Sequence, residues 1–221
     1  MTLGRMNFQM RRSGAYGMAA AIIQALLLIF AQPALAAEKL VLAFGDSLMA
    51  GYGLAPNQSF PAQLQARLRA GGMAVRVHNA GVSGDTSAAG KGRLNWVLAS
   101  LKAKPDLVIL ELGANDMLRG QKPDQTRANL DAMLAELRRR RIPVLLAGMR
   151  ASPNLGKVFQ TQFDAIYPAL AKKYGVPLYP FFMNGVAANR SLLIGDQMHP
   201  NDKGVAMIVR GIAPQVVAAL K

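Results

Sequence analysis

The chain of 221 residues contains no cysteine. No disulfide can form, so the fold must hold through packing alone, and attachment of a lipid through an N-terminal cysteine is excluded too. Acidic residues are scarce: 12 Asp and Glu stand against 26 Lys and Arg, a formal net charge of +14. Histidine is scarcer still, with only His78 and His199. Neither this pair nor the scattered acids supply a cluster at metal-ligand spacing, and Gly51-Tyr52-Gly53 is no phosphate loop, so neither a metal nor a cofactor is expected. No linker interrupts the chain. With 52% hydrophobic residues it is long enough for one sizeable core and too short for two comfortable domains.

The first 36 residues read differently from the rest. Arg5, Arg11 and Arg12, with no acid among them, precede an apolar run over 18–30, and the small residues Ala34-Leu35-Ala36 follow. That is the three-part layout of a secretory signal peptide, with its cut expected after Ala36. The apolar run falls short of the ~20 residues of a bilayer span, and Pro33 sits just before the cut, so a retained anchor is disfavoured. Arg11-Arg12 is what any charged leader contains and is weak support for a twin-arginine route. The expected organisation is therefore a leader over 1–36 and one domain over 37–221. Taking the three leader arginines from +14 leaves +11 on that domain. Such a surface favours anionic surroundings, among them lipid headgroups, and no nucleic-acid motif accompanies it. The densest cluster, 138–141, falls where a helix should end before Ile142-Pro143, where cations complement the helix dipole.

After residue 37, short apolar runs alternate with longer amphipathic stretches, the signature of βαβ units and a parallel sheet. Strands are predicted over 40–44, 74–79, 107–112, 144–147 and 177–179. Helices are predicted over 60–70, with Ser59 placed to cap it, and over 86–101, 125–140, 157–174 and 202–220. Right-handed crossovers give an α/β fold, a three-layer α/β/α sandwich around a central parallel sheet of about five strands.

In an open parallel sheet a ligand site lies outside the carboxyl ends of the strands. The segments rich in Gly, Asn, Asp and Ser obey that rule: GDSLMAGYG follows the first strand, NAGVSGDTS the second and GANDMLRG the third, while DQMHP precedes the last helix. Ser47, Asp196 and His199 then supply a nucleophile, an orienting acid and a base in that chain order. A serine hydroxyl attacks well at neutral pH only when an imidazole takes its proton, and the imidazole works best when a carboxylate fixes its tautomer. Asp196 and His199 are three residues apart, so one turn can lay the carboxylate against Nδ1 while Nε2 faces Ser47. The G-x-S-x-G elbow of α/β-hydrolases fails at Met49.

At these segments the chain resembles the SGNH hydrolases, or GDSL esterases and lipases, whose blocks carry Ser, Gly, Asn and His in order: here Ser47 in GDSL, Gly84 in VSGDTS, Asn115 in GAND and His199 in DQMHP. The likeness covers nearly all of 38–219, and YPALAKKYGVPLYPFF is similar to the branch of small periplasmic acyl thioesterases, lysophospholipases and arylesterases. The resemblance implies the flavodoxin-like fold of that family and an acyl-enzyme formed on Ser47. The oxyanion of the tetrahedral intermediate would meet the N–H of Ser47, the N–H of Gly84 and the amide of Asn115, each donor typically worth ~3 to 4 kcal/mol. Gly84 is expected to let the backbone approach without a side chain in the way, and Leu118 to line the acyl path beside a loop over 149–158. The expected partner is a small acyl ester or thioester taken up by a monomer. Two other readings use the same fold: an O-acetylesterase acting on envelope carbohydrate, and a silent binding protein, against which the intact residue set argues. His78 on a predicted strand reads as structural, Asp46 and Asp116 as holding loop backbone, and Asp85 and Thr86 as starting a helix.

The leader yields a direct expectation: exported protein should begin at Ala37 and be found in the periplasm or medium. N-terminal sequencing checks it, and an intact Met1 in a membrane fraction would point to an uncleaved anchor.

Overall fold

Three of the five strands are buried almost throughout in the computed structural model, which describes residues 37–221. The leader expected over 1–36, with its cut after Ala36, lies outside the described residues. β1 (Lys39–Gly45), β3 (Leu107–Glu111) and β4 (Val144–Ala147) are the buried strands. A near-continuous apolar run gives this when helices cover both faces of a sheet. β2 (Val75–Gly81) instead alternates, with Val75, Val77 and Ala80 buried and Arg76 and Asn79 exposed, as suits an edge strand. The short β5 (Leu178–Tyr179) forms the opposite edge. All pairings are parallel and the order is β2-β1-β3-β4-β5.

This order fixes where a site can form. From β1 the chain steps outward to β2, then returns across β1 to β3 and continues the other way, so connections leave the ends of β1 and β3 on opposite faces and open a crevice between them. The helices are α1 (Ser47–Ala50), α2 (Phe60–Ala70), α3 (Ser87–Ser100), α4 (Ala114–Leu118), α5 (Pro123–Arg139), α6 (Lys157–Asp164), α7 (Ile166–Tyr174) and α8 (Asp202–Ala219). α2 packs on α8, while α5 packs on both α3 and α7, the two outer layers of the predicted sandwich.

Several local expectations need correction. The single helix predicted over 157–174 is two, α6 and α7, joined at Ala165. Pro168 cannot donate to the carbonyl four residues back, that of Asp164, and its ring crowds that group, so the ladder opens there. Where the predicted loop over 149–158 overlaps the predicted helix over 157–174, the helix prevails: Val158 lies in α6, and residues 153–155 of the loop form a 3₁₀ turn. Ser59 stands at the start of α2 but does not cap it, its hydroxyl donating to the Pro56 carbonyl at 2.8 Å. The short helices α1 and α4 were not anticipated, and both carry candidate site residues.

The loop after β3 is tied down from α7. Tyr167 is fully buried and its hydroxyl donates to the Leu112 carbonyl at 2.9 Å. Tyr167→Phe should keep the packing and leave that carbonyl unpaired, lowering stability by about 1–3 kcal/mol. Urea denaturation of the two proteins measures the difference.

Candidate active site

β1 ends at Gly45, and the next two residues turn the chain into α1. Asp46 caps this four-residue helix, its Oδ1 accepting the Leu48 N–H at 3.0 Å. Ser47 is the first helical residue, so its own N–H has no partner within the helix. Gly51 closes α1 in the left-handed conformation, with φ 85°. Strand, cap and helix together hold the Ser47 hydroxyl at the carboxyl edge of the sheet.

His199 arrives from the other end of the chain. His199 Nε2 lies 2.8 Å from Ser47 Oγ, and its Nδ1 lies 2.6 Å from Asp196 Oδ2. Asp196 Oδ1 meanwhile accepts the N–H groups of Met198 at 2.9 Å and His199 at 3.0 Å. One carboxylate therefore shapes its own loop and orients the ring. Partial burial works against its charge, but the His199 and Met198 N–H groups and the imidazole outweigh this and hold it below the ordinary Asp range. The fold-back requires Gln197 at φ 60°, an uncommon conformation for a side chain with a Cβ. Tyr52 lies against the imidazole with ring centroids 4.6 Å apart.

Gly84 adopts φ 84°, and an added Cβ would meet nothing nearer than the Arg119 guanidinium at 3.6 Å. The left-handed conformation itself calls for glycine here. The Gly84 carbonyl accepts from Arg119 Nη2 at 2.8 Å, and its N–H makes no hydrogen bond among the described residues. Asn115, in α4, has its Nδ2 at 3.0 Å from both Asp46 Oδ2 and the Asp85 carbonyl. An amide has two hydrogens and both are engaged, so giving one to a reacting oxygen means loosening one of these bonds. Leu118, at the end of the same helix, stands on the rim and is 61% exposed. Ser47, Asp196 and His199 thus meet in one chain of contacts, Gly84 lies in the turn after β2 and Asn115 in α4 beside them, and His78 remains on β2.

Electrostatics beneath the site are dominated by burial. Asp46 is buried, which pushes its pKa up to about 6 against the opposing pull of the Leu48 N–H, His199 and Asn115. Asp116 accepts from the Ser87 N–H at 2.7 Å, the Ser87 hydroxyl and Thr126 Oγ1 at 3.1 Å, joining α4 to α3 and α5. Thr86 caps α3, accepting the Ala89 N–H at 3.3 Å. Sequence reasoning missed Arg93, which donates to the Gly45 and Ala80 carbonyls at 2.8 Å and to Asp85 at 2.6 Å, with its guanidinium 4.1 Å from the Phe44 ring centre. It straps together the ends of β1 and β2 and the loop carrying Gly84. Glu111, also missed, was visible as the one acid closing the apolar run of β3.

A family model described as GDSL-like Lipase/Acylhydrolase matches residues 43–207. The chain belongs to this family. Among relatives of this GDSL-like chain, "Esterase TesA" of Pseudomonas aeruginosa is 42% identical over 165 residues, 75% of this chain and 81% of its own. "Thioesterase 1/protease 1/lysophospholipase L1" of Escherichia coli K12 is 38% identical over 181 residues, 82% and 85% of the two chains. The solved SGNH-hydrolase family esterase AlinE4 is 50% identical, covers 85% of this chain and all of its own, and superposes with a TM-score of 0.72. The five-stranded parallel sheet flanked by helices is the SGNH hydrolase fold, and the protein is a hydrolase of the esterase and thioesterase class.

The geometry of the loop over 194–200 leads to one expectation. Asp196→Asn keeps the side-chain shape but cannot hold the Nδ1 proton as a carboxylate does, so the imidazole loses its fixed tautomer. Hydrolysis of a soluble aryl ester should lose at least about a hundredfold in kcat with KM little changed. Steady-state kinetics on the purified variant decide it.

Proposed function

We propose that the protein is an exported serine esterase that cleaves acyl esters and thioesters through an acyl-enzyme on Ser47. The observation that carries this reading is the chain of contacts from Ser47 Oγ to His199 Nε2 at 2.8 Å and from Nδ1 to Asp196 at 2.6 Å. In the proposed mechanism, His199 takes the Ser47 proton as Oγ attacks the acyl carbon, and the charge moves to the carbonyl oxygen. The N–H groups of Ser47 and Gly84 and the Asn115 amide meet that oxygen. Collapse expels the alcohol or thiol, which takes the proton from His199. Water, deprotonated by the same imidazole, then attacks the acyl carbon and releases the acid and Ser47.

The surface around Ser47 favours an apolar acyl group over a sugar. Among the described residues, the large hydrophobic side chains left exposed are Tyr52, Val82, Trp96, Leu118, Val158 and Met198. All but Trp96 stand on segments that follow the carboxyl ends of β1 to β4 or on the loop of His199. Apolar surface gathered at one edge is a feature that a flexible chain can cover. The relatives named esterase, arylesterase, and thioesterase and lysophospholipase are in keeping with acyl substrates of this kind. The leader over 1–36 supports action in the periplasm or medium, and the basic charge supports peripheral contact with anionic lipid surfaces.

A hydrolysis panel tests the reading: aryl esters from acetyl to palmitoyl, acyl thioesters, a lysophospholipid and an acetylated sugar, each with wild type and Ser47→Ala. Each methylene buried adds up to ~0.8 kcal/mol, about fourfold in kcat/KM, so activity should vary with chain length and not peak at acetyl. Ser47→Ala should fold and lose nearly all activity, and a fluorophosphonate should label Ser47 alone. Strict preference for acetyl groups on sugar would replace this reading with an O-acetylesterase. Activity surviving in Ser47→Ala would remove the mechanism.

A further inference from the structure

Glu111 has no part in the mechanism above, yet it is fully buried and neither of its carboxylate oxygens makes a hydrogen bond. Strand register explains its position. Phe44 pairs with Leu110, so Glu111 stands level with Gly45 at the ends of β1 and β3. A Cβ on Gly45 would lie 2.6 Å from Glu111 Oε2 and 2.5 Å from the Glu111 carbonyl, which is why this position admits only glycine. The groups the Glu111 carboxyl faces there belong to Asp46, its N–H and its carboxylate. Two acids are thus buried side by side directly beneath the turn that carries Ser47.

Both cannot carry charge in so dry a place. Asp46 is the acid equipped to be ionised, since it accepts from the Leu48 N–H and from Asn115 and lies in the field of His199. Glu111 has only the Asp46 N–H to set against its complete burial and the Asp46 charge, so the proton belongs on Glu111. An apolar residue of similar size would pack there without the desolvation cost of an acid. We propose that Glu111 is a positioning residue: as a neutral acid it donates its proton to the Asp46 carboxylate, and so holds Asp46, Asn115 and the first turn of α1 in the arrangement that reaction at Ser47 requires. This rests on the serine-esterase reading of Ser47. Burial pushes the Glu111 carboxyl well above the ordinary range, with the Asp46 charge adding to the effect. The other ionisable groups around the pair are accounted for. Asp85, in the loop after β2, is paired with Arg93 of α3, whose remaining donors go to main-chain carbonyls. Asp116 of α4 is satisfied by Ser87 and Thr126, Tyr167 of α7 donates to the Leu112 carbonyl, and His199 is held by Asp196 and Ser47.

Wild type and two variants, assayed on a soluble aryl ester, separate this role from packing. Glu111→Met removes the donor and the buried acid together, so its melting temperature should equal or exceed that of wild type. Its kcat should nevertheless fall by about tenfold to a hundredfold at unchanged KM. Asp46, deprived of a donor to its charged form, should take up a proton more readily, moving the acid limb of kcat to higher pH. Glu111→Gln, which keeps a neutral donor, should recover most of the lost turnover and return the limb toward its wild-type position. Wild-type kcat and pH profile in Glu111→Met would overturn the proposal, as would equal impairment in Glu111→Gln. A readout independent of folding or turnover in the Met variant is the infrared difference between wild type and Glu111→Gln at neutral pH. It should contain the carbonyl band of a protonated carboxylic acid, and its absence would mean that Glu111 is ionised. Wild-type protein without Ser47-dependent hydrolysis would instead overturn the esterase reading, while the infrared band would still report on Glu111.

Discussion

The parallel pairing of β1 with β3 is the constraint on which the site depends. Their register sets Phe44 against Leu110 and brings the two strands to an end at the same height. The turn that follows β1 carries Asp46 and Ser47, and the turn that follows β3 carries Asn115 and Asp116, so residues nearly seventy positions apart reach each other across a single strand spacing. A slip of one residue would turn Glu111 and every buried side chain of β3 to the opposite face. Strands apolar on both faces do not by themselves resist that slip; the close fit of Gly45 against the Glu111 main chain and carboxyl does, and in this way packing at the strand ends also sets the geometry above them.

Around that pairing the molecule uses polar side chains to join elements that packing alone would leave loose. Arg93 gathers the ends of β1 and β2 with Asp85, Asp116 gathers α3, α4 and α5, and Tyr167 holds the loop after β3 from α7. Each fastening is made from main-chain carbonyls or buried carboxylates, groups that would otherwise be stranded at strand ends. A chain without cysteine has no covalent alternative. Because these ties meet beneath Ser47, stiffness of the scaffold and order in the site come from the same atoms.

Much of this was legible from the residues themselves. β1, β3 and β4 were readable because a strand covered on both faces must be apolar along its whole length, and the site segments because Gly, Asn, Asp and Ser cluster where those strands stop. The contact of Ser47 with His199 followed from the chemistry a serine needs. What escaped the reading were elements too short to show a period and side chains whose partners are distant in sequence. α1 has four residues, fewer than two turns, so no amphipathic repeat can announce it. Arg93 reads as an ordinary solvent-facing helix cation until the fold lays it on Phe44. The break before Ile166 was encoded by Pro168, but the apolar pattern continues across it and concealed the interruption. Gly84 could be read as a glycine in a site segment, but its left-handed φ is set by the turn and leaves no mark in the residues around it.

The loop that presents His199 is closed on itself: Asp196 binds the ring and two successive main-chain N–H groups, and Ile194 donates to the His199 carbonyl at 2.9 Å. Asp196 and His199 therefore travel as one rigid body, and motion of this loop against the sheet leaves their mutual geometry untouched. A single soft coordinate remains, the gap between Nε2 and Ser47 Oγ. The fraction of time Nε2 and Oγ stay in contact is then a property of how this surface segment rides on the scaffold, and warming should slacken that gap well before it disturbs the five strands below.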